Sequence, residues 1–163
     1  MNNARDHANE LLRLLGEKIG LSGLALDEMG TATLTIDGAN CTLHLPSLPH
    51  TSEYGRELYC LTSLGRLSSE ADLRATVSAW LLDRNCFFRG VGPGVLGVTE
   101  GEDIIWYCAR LRLDTAEYTD FEVFLLAVAD MGTRLRRELT AIPGPEKSTG
   151  AENAEHPDTF LRV

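Results

Sequence analysis

The spacing of apolar residues changes from helical to alternating near residue 24, and this change constrains the fold more than any other feature. From about Ala4 to Ile19 the apolar side chains recur at helical intervals, at Ala8, Leu11, Leu12, Leu15 and Ile19. From Leu24 onward they alternate, and Asp37-Gly38 is a strong signal for a tight hairpin turn. The sequence therefore predicts an amphipathic helix followed by a meander of three strands, near residues 24–26, 31–36 and 41–45.

The remaining predicted elements are a strand, a helix, a hairpin of two strands and a long helix. They cover about Glu57–Ser63, Ser69–Asn85, Val95–Thr99 with Asp103–Leu113, and Thr119–Leu139. Ser69 is the expected N-cap of the second helix, and Thr119 with Glu122 has the spacing of a capping box. The expected order is α-β-β-β-β-α-β-β-α, an α+β fold in which an antiparallel twisted sheet is flanked by three helices.

Residues 1–142 are expected to form one domain, and residues 143–163 a flexible acidic tail. The tail is rich in Pro, Gly, Ser and acidic residues and has little apolar surface to bury. Within the tail, Phe160-Leu161 is a candidate anchor, although a frayed end is the simpler interpretation.

The charge balance disfavours whole classes of partner. The chain has 24 acidic and 15 basic residues and a net charge of −9. Because binding to nucleic acid or to anionic membranes relies on clustered Lys and Arg, we expect neither, and no apolar run approaches the ~20 residues of a membrane span. The first residues lack a signal-peptide pattern, so we expect a cytoplasmic protein whose cysteines, at positions 41, 60, 86 and 108, are reduced.

Several motifs resemble catalytic or metal sites, but the predicted helices and strands around them do not fit such sites. Gly90-x-Gly92-x-Gly94 follows a predicted helix and enters a strand, the reverse of a dinucleotide-binding loop. Cys41 and His44 are predicted to lie on opposite faces of one strand, and no second ligand pair completes a metal site. The four histidines are scattered. We therefore expect no catalytic residues, no metal and no cofactor.

The predicted strand at 103–113 is apolar on both faces over its first half. Ile104, Trp106 and Cys108 lie on the face opposite the core. The second helix carries Leu73, Val77, Trp80 and Leu81, but about fifteen residues of helix are too few to cover a whole sheet face. These seven residues predict the interface of a two-fold homodimer. The alternative is that the second helix closes the core of a monomer by itself.

Over about residues 4–140, the sequence resembles the class I type III secretion chaperones of the CesT (Tir chaperone) family. The family is held together by pattern more than by identity. The stretches that carry the resemblance are Leu11–Gly16 through Gly20-Leu21, Leu24–Gly30, Leu34–Gly38, Leu81–Asn85, Gly94–Val98, Ile105–Tyr107, Leu111-x-Leu113, and Phe121 with Leu125 and Val128.

This resemblance implies a bacterial, cytosolic homodimer associated with virulence. Such a protein binds the N-terminal region of a secreted effector, keeps it non-globular and soluble, and delivers it to the secretion apparatus. Candidate effector contacts are Leu14, off the main stripe of the first helix, and Ile36, Leu43 and Leu45 on the meander, which are otherwise core residues. Alternative functions are a YbjN-like or immunity-type interaction module, or an enzyme or small-molecule carrier.

Overall fold

The computed structural model describes residues 4–47, 56–86 and 90–143. These residues form α1 (Ala4–Ile19), β1 (Thr31–Ile36), β2 (Ala39–His44), β3 (Glu57–Arg66), α2 (Ala71–Asn85), β4 (Val95–Val98), β5 (Ile104–Arg112) and α3 (Tyr118–Thr140). Every strand pairing is antiparallel, and the sheet order is β1-β2-β3-β5-β4. The predicted α+β class, an antiparallel sheet flanked by three helices, is confirmed. The predicted tail lies outside the described residues, apart from Pro143.

One predicted strand, near residues 24–26, does not form, so three strands rather than four separate α1 from α2. The backbone N–H of Leu26 donates to the Asn9 side chain of α1, with a distance of 2.9 Å between Leu26 N and Asn9 Oδ1. Leu26 is buried and Leu24 packs partly against the core. The alternation of these two leucines thus reflects a connection that folds back along α1, not pairing with another strand.

Both predicted helix caps lie at other residues. Glu70, not Ser69, is the N-cap of α2. The N-cap of α3 is Glu117, whose backbone N–H donates to the carboxylate of Asp120 at 3.0 Å, so the capping box begins two residues before Thr119. Glu122, predicted to complete that box, pairs instead with Lys18 of α1.

One continuous core lies between the sheet and the helices. The strands contribute alternate residues, such as Leu58, Cys60, Thr62 and Leu64 of β3, while α1 contributes Ala8, Leu11, Leu12 and Leu15 and α3 contributes Phe121, Leu125, Val128 and Leu135. Ile19, predicted to belong to the stripe of α1, is 52% exposed because the helix ends there. The four cysteines are not paired with one another in the structure.

α3 approaches β3 closely where Gly132 faces Thr62. A Cβ atom built on Gly132 would lie 2.3 Å from Cγ2 of Thr62, whose side chain is completely buried. The guanidinium of Arg136, one turn further along α3, donates to the carbonyl oxygen of Ser63 at 2.7 Å. The absence of a side chain at position 132 therefore sets the distance between the long helix and the centre of the sheet.

Candidate binding surfaces

The first candidate surface is the outer edge of β1. In an antiparallel pair only alternate residues bond the neighbouring strand, and the pair next to a two-residue turn, here Ile36 with Ala39, is a bonded one. Thr31, Thr33 and Thr35 therefore direct their backbone groups outward. Those of Thr31 are satisfied by Asp27, whose carboxylate accepts from Thr31 N at 2.8 Å and whose backbone N–H donates to Thr31 O at 2.8 Å.

Thr33 and Thr35 differ from Thr31 in this respect. Within residues 4–47, 56–86 and 90–143, no partner is found for their outward backbone N–H and C=O groups. Both residues are exposed. Such a row of unpaired backbone groups is a template on which another extended segment can pair.

The opposite edge, β4, is blocked at Leu96 by a side chain. Asn85, the last residue of α2, accepts from the backbone N–H of Leu96 at 2.8 Å, and its amide donates to the carbonyl oxygen of Leu96 at 2.9 Å. The side-chain amide thus takes the place that the backbone of an added strand would occupy. Because β4 is blocked at this position, strand addition is favoured at β1.

We expect Asn85→Ala to lower the free energy of unfolding by about 1 kcal/mol, because two backbone groups lose a bonded partner near the surface. Urea denaturation measures this loss. Asn40→Ala is the matched control: the Asn40 side chain accepts one bond from the Thr35 hydroxyl, at 3.0 Å on an exposed face, and its loss should cost less than about 0.5 kcal/mol. Equal losses for the two variants would contradict the role given to Asn85.

The structure separates the four predicted effector contacts. Leu43 and Leu45 are 0% and 7% exposed and belong to the core, so neither offers a surface to a partner. Ile36 is half-buried at the end of β1, and Leu14 is half-buried on α1. Direct contact with a partner therefore remains a hypothesis for Leu14 and Ile36.

Leu14 lies on the side of α1 that faces α3. It shares a helix face with His7, whose ring lies 3.0 Å from the carbonyl oxygen of Ala116, and with Lys18, which pairs with Glu122. Near Lys18 and Glu122 in the chain are apolar side chains that are 49–66% exposed, at the end of α1 and in the first part of α3. Together with Leu14 they form what we name the junction patch: Leu14, Ile19, Leu21, Val123 and Leu126.

The last four members of the junction patch were not among the predicted contacts. Val123 and Leu126 lie off the buried stripe of α3, and in a sequence two such residues are indistinguishable from ordinary exposed apolar side chains. Only the Lys18–Glu122 pair, which joins residues far apart in the chain, places them beside the end of α1.

The predicted dimer residues do not form one continuous surface. Val77 and Leu81 are buried, and Leu73 and Trp80 pack against the molecule's own core. The ring of Trp80 also lies under the guanidinium of Arg84, with 5.7 Å between Arg84 Cζ and the ring centroid. The interface role of these four α2 residues stays a prediction, and the contacts that the structure shows for them are internal.

The β5 residues of the predicted interface do share a surface, the face of the sheet opposite the core. By register, Cys108 lies between Leu61 of β3 and Val95 of β4. Ile104, Trp106 and Cys108 are half-buried. We name this surface the outer face, defined by Leu61, Val95, Ile104, Trp106 and Cys108.

The outer face is open. A Cβ atom built on Gly97, opposite Trp106, would meet no atom within 4 Å. Beside Cys108 and Val95 lies a cleft of about 640 Å³ that also involves Tyr59, Pro93 and Arg110. Burial raises the pKa of the Cys108 thiol, so this group is held in the protonated, less reactive form. The outer face thus offers apolar contact area rather than a nucleophile.

No helix in the described part of the chain is long and apolar enough to cross a membrane. The same described residues contain no group of three or more His, Cys, Asp or Glu side chains arranged to hold a metal ion.

Comparison with known families identifies the chain. The profile of the Tir chaperone protein (CesT) family matches residues 10–136, which include all eight helices and strands at least in part. The chain belongs to the CesT family. The resemblance in the sequence is thereby confirmed. No curated protein sequence matches that of this CesT-family protein.

Solved structures share the fold of this CesT-family protein at low sequence identity. A chain of the ExsC–ExsE complex matches with a TM-score of 0.69 at 21% identity, covering 87% of this chain and 100% of its own. A chain of the HopA1–SchA chaperone–effector complex matches at 0.60 and 13% identity, with coverages of 84% and 98%. YbjN from E. coli matches at 0.55 and 14%, with coverages of 81% and 90%. Because YbjN shares the fold, the fold alone does not distinguish a secretion chaperone from a YbjN-like protein. The match to the family profile is what places this chain in the CesT family.

Proposed function

We propose that this CesT-family protein is a type III secretion chaperone of the bacterial cytoplasm. It binds the N-terminal region of a secreted effector, keeps that region non-globular and soluble, and delivers it for secretion without catalysing a reaction. The observation that carries the proposal is the family match, and structures of the ExsC–ExsE and HopA1–SchA complexes contain chains of the same fold.

The open edge of β1 supports a specific binding mode. An effector segment added beside β1 gains backbone hydrogen bonds from Thr33 and Thr35, which are the bonds that these two residues do not make within the described chain. Backbone bonds carry little sequence specificity. Selection then comes from apolar effector side chains that pack at Ile36 and on the junction patch.

A second copy of the chain is the proposed cover of the outer face. Trp106 and Cys108, two of the predicted interface residues, lie there beside exposed Val95, so two copies related by a two-fold axis would bury an apolar surface that one copy leaves open. Sedimentation equilibrium tests this proposal. A monomer at micromolar concentration would overturn it.

Co-expression tests the function as a whole. We expect this protein to co-purify with a secreted protein encoded beside its gene, and about the first 100 residues of that client to resist proteolysis only in the complex. A client that is protected only as a folded domain would instead support an immunity-type inhibitor. Failure to bind any secreted protein encoded nearby would contradict the chaperone proposal.

Leu14→Glu tests the junction patch. We expect about tenfold weaker binding of the same client, because a carboxylate in an apolar contact must lose its hydration, while the oligomeric mass and the thermal melting temperature stay nearly unchanged. Ala75→Glu introduces the same charge at an exposed position of α2 and should bind normally. If Leu14→Glu fails to fold, Leu14 is a core residue; if it binds as wild type, the patch is not the contact.

A further inference from the structure

We propose that residues 159–163 of this chain pair with the open edge of β1 and occupy it until a client displaces them. The displacement rests on the proposed chaperone function, whereas the pairing itself does not. The occupant is a segment of the same chain that lies outside the described residues. The site, the chemistry of the segment and the length of the connection each support this assignment.

The site accepts an extended segment with alternating character. Its backbone offers two donors and two acceptors, at Thr33 and Thr35. On the helix side, β1 presents buried Ala32 and Leu34, and on the opposite side it presents exposed threonines. A strand added here therefore needs apolar side chains on one face and tolerates polar ones on the other.

Residues 159–163, Thr-Phe-Leu-Arg-Val, have this character. In an extended conformation Thr159, Leu161 and Val163 share one face, and Phe160 and Arg162 share the other. Three of the five residues are of the β-branched or aromatic types that favour strands. The preceding stretch, 144–158, has no apolar residue larger than Ala apart from its prolines, so this segment is the apolar part of residues 144–163.

The connection is long enough. α3 ends above the end of β3, where Leu139 Cδ2 lies 3.6 Å from the position of a Cβ on Gly65. The pairing of Cys41 with Thr62 and of Ile36 with Ala39 places this end of β3 at the same end of the sheet as Ile36. Two strand spacings, about 10 Å, separate β3 from β1.

Residues 144–158 can span up to about 50 Å, which exceeds the roughly 20 Å length of β1. A connection of this kind holds the segment near the edge at an effective concentration of the order of millimolar. Even a weak backbone pairing is therefore populated within one molecule.

Hydrogen exchange in the full 163-residue chain, followed by NMR, tests the pairing. We expect the Thr33 and Thr35 amides to exchange about tenfold faster in Leu161→Asp than in wild type, because a charged residue on the apolar face of the segment releases the edge. Amides of Ala32 and Leu34, which bond β2, should not change. Ala154→Asp adds the same charge within the connection and should behave as wild type. Equal exchange at Thr33 and Thr35 in all three proteins overturns the proposal.

Client affinity separates this inference from the proposed function. The probe is the N-terminal region of the co-purified secreted protein. Leu161→Asp should lower the apparent Kd for this probe several-fold, because the apparent Kd is the intrinsic Kd divided by the fraction of molecules whose β1 edge is free. If no variant binds the probe, the chaperone function fails while the exchange result still decides the pairing. If all variants bind it with the same Kd, displacement is wrong and the chaperone function stands.

Discussion

Gly132→Ala should lower the free energy of unfolding by about 2 kcal/mol, the opposite of what is expected for a glycine replaced by alanine inside a helix. Alanine is favoured over glycine there by about 1 kcal/mol, so propensity alone predicts stabilisation. The new Cβ would lie 2.3 Å from Cγ2 of Thr62, well inside van der Waals contact. α3 must then move away from β3, and overpacking of this kind costs about 3 kcal/mol.

A second substitution identifies the cause of this loss. Thr62→Ser removes Cγ2 and leaves Oγ1 of residue 62, at 3.2 Å, as the atom nearest to the new Cβ. In the Thr62→Ser protein, Gly132→Ala should therefore lower the free energy of unfolding by at most half as much as it does in the wild type. Gly97→Ala, on the open outer face, should change stability by less than about 0.5 kcal/mol. Additive losses in the double variant would show that the close approach to β3 is not the reason.

Trp106→Ala is expected to raise the dissociation constant of the proposed dimer at least about 30-fold, the effect of removing an aromatic anchor worth about 2 kcal/mol or more. The indole packs on the outer face, and its N–H donates to the hydroxyl of Thr99 at 2.7 Å, which fixes the ring orientation. Sedimentation equilibrium over a range of concentrations measures the change. Each copy of the variant should still fold, because Trp106 lies outside the core.

Thr33→Ala is the control for that experiment, since Thr33 is exposed on the same side of the sheet but three strands away on β1. It should dimerise as wild type. A Trp106→Ala protein that remains fully dimeric would move the interface elsewhere, and α2 with its 72% exposed Leu82 would then be the surface to test.

The sequence alone is sufficient to place the helices and most of the strands, because their burial is periodic. α1 carries its stripe at helical spacing, and β1 and β2 alternate on either side of Asp37-Gly38. The strand predicted near Leu24 is wrong because two alternating leucines pack against a helix as readily as they pair in a sheet. Local spacing does not record which surface covers a side chain.

The binding surfaces were less predictable for the same reason. Leu43 and Leu45 alternate like Leu34 and Ile36, so their spacing does not distinguish a groove from the core, and the structure buries both. The junction patch depends on the Lys18–Glu122 pair, which joins positions more than 100 residues apart. The block at Leu96 of β4 depends on one asparagine amide, whose partner no local pattern indicates.

The unequal edges of the sheet also limit how copies of this protein can assemble. If both β1 and β4 were open, the β1 edge of one molecule would pair with the β4 edge of the next, and such head-to-tail contacts propagate without limit into filaments. With Leu96 bound by Asn85, a β1 edge cannot pair along the full length of β4. A contact between two β1 edges is two-fold and joins two molecules, so the amide of Asn85 disfavours the head-to-tail pairing of edges that builds filaments.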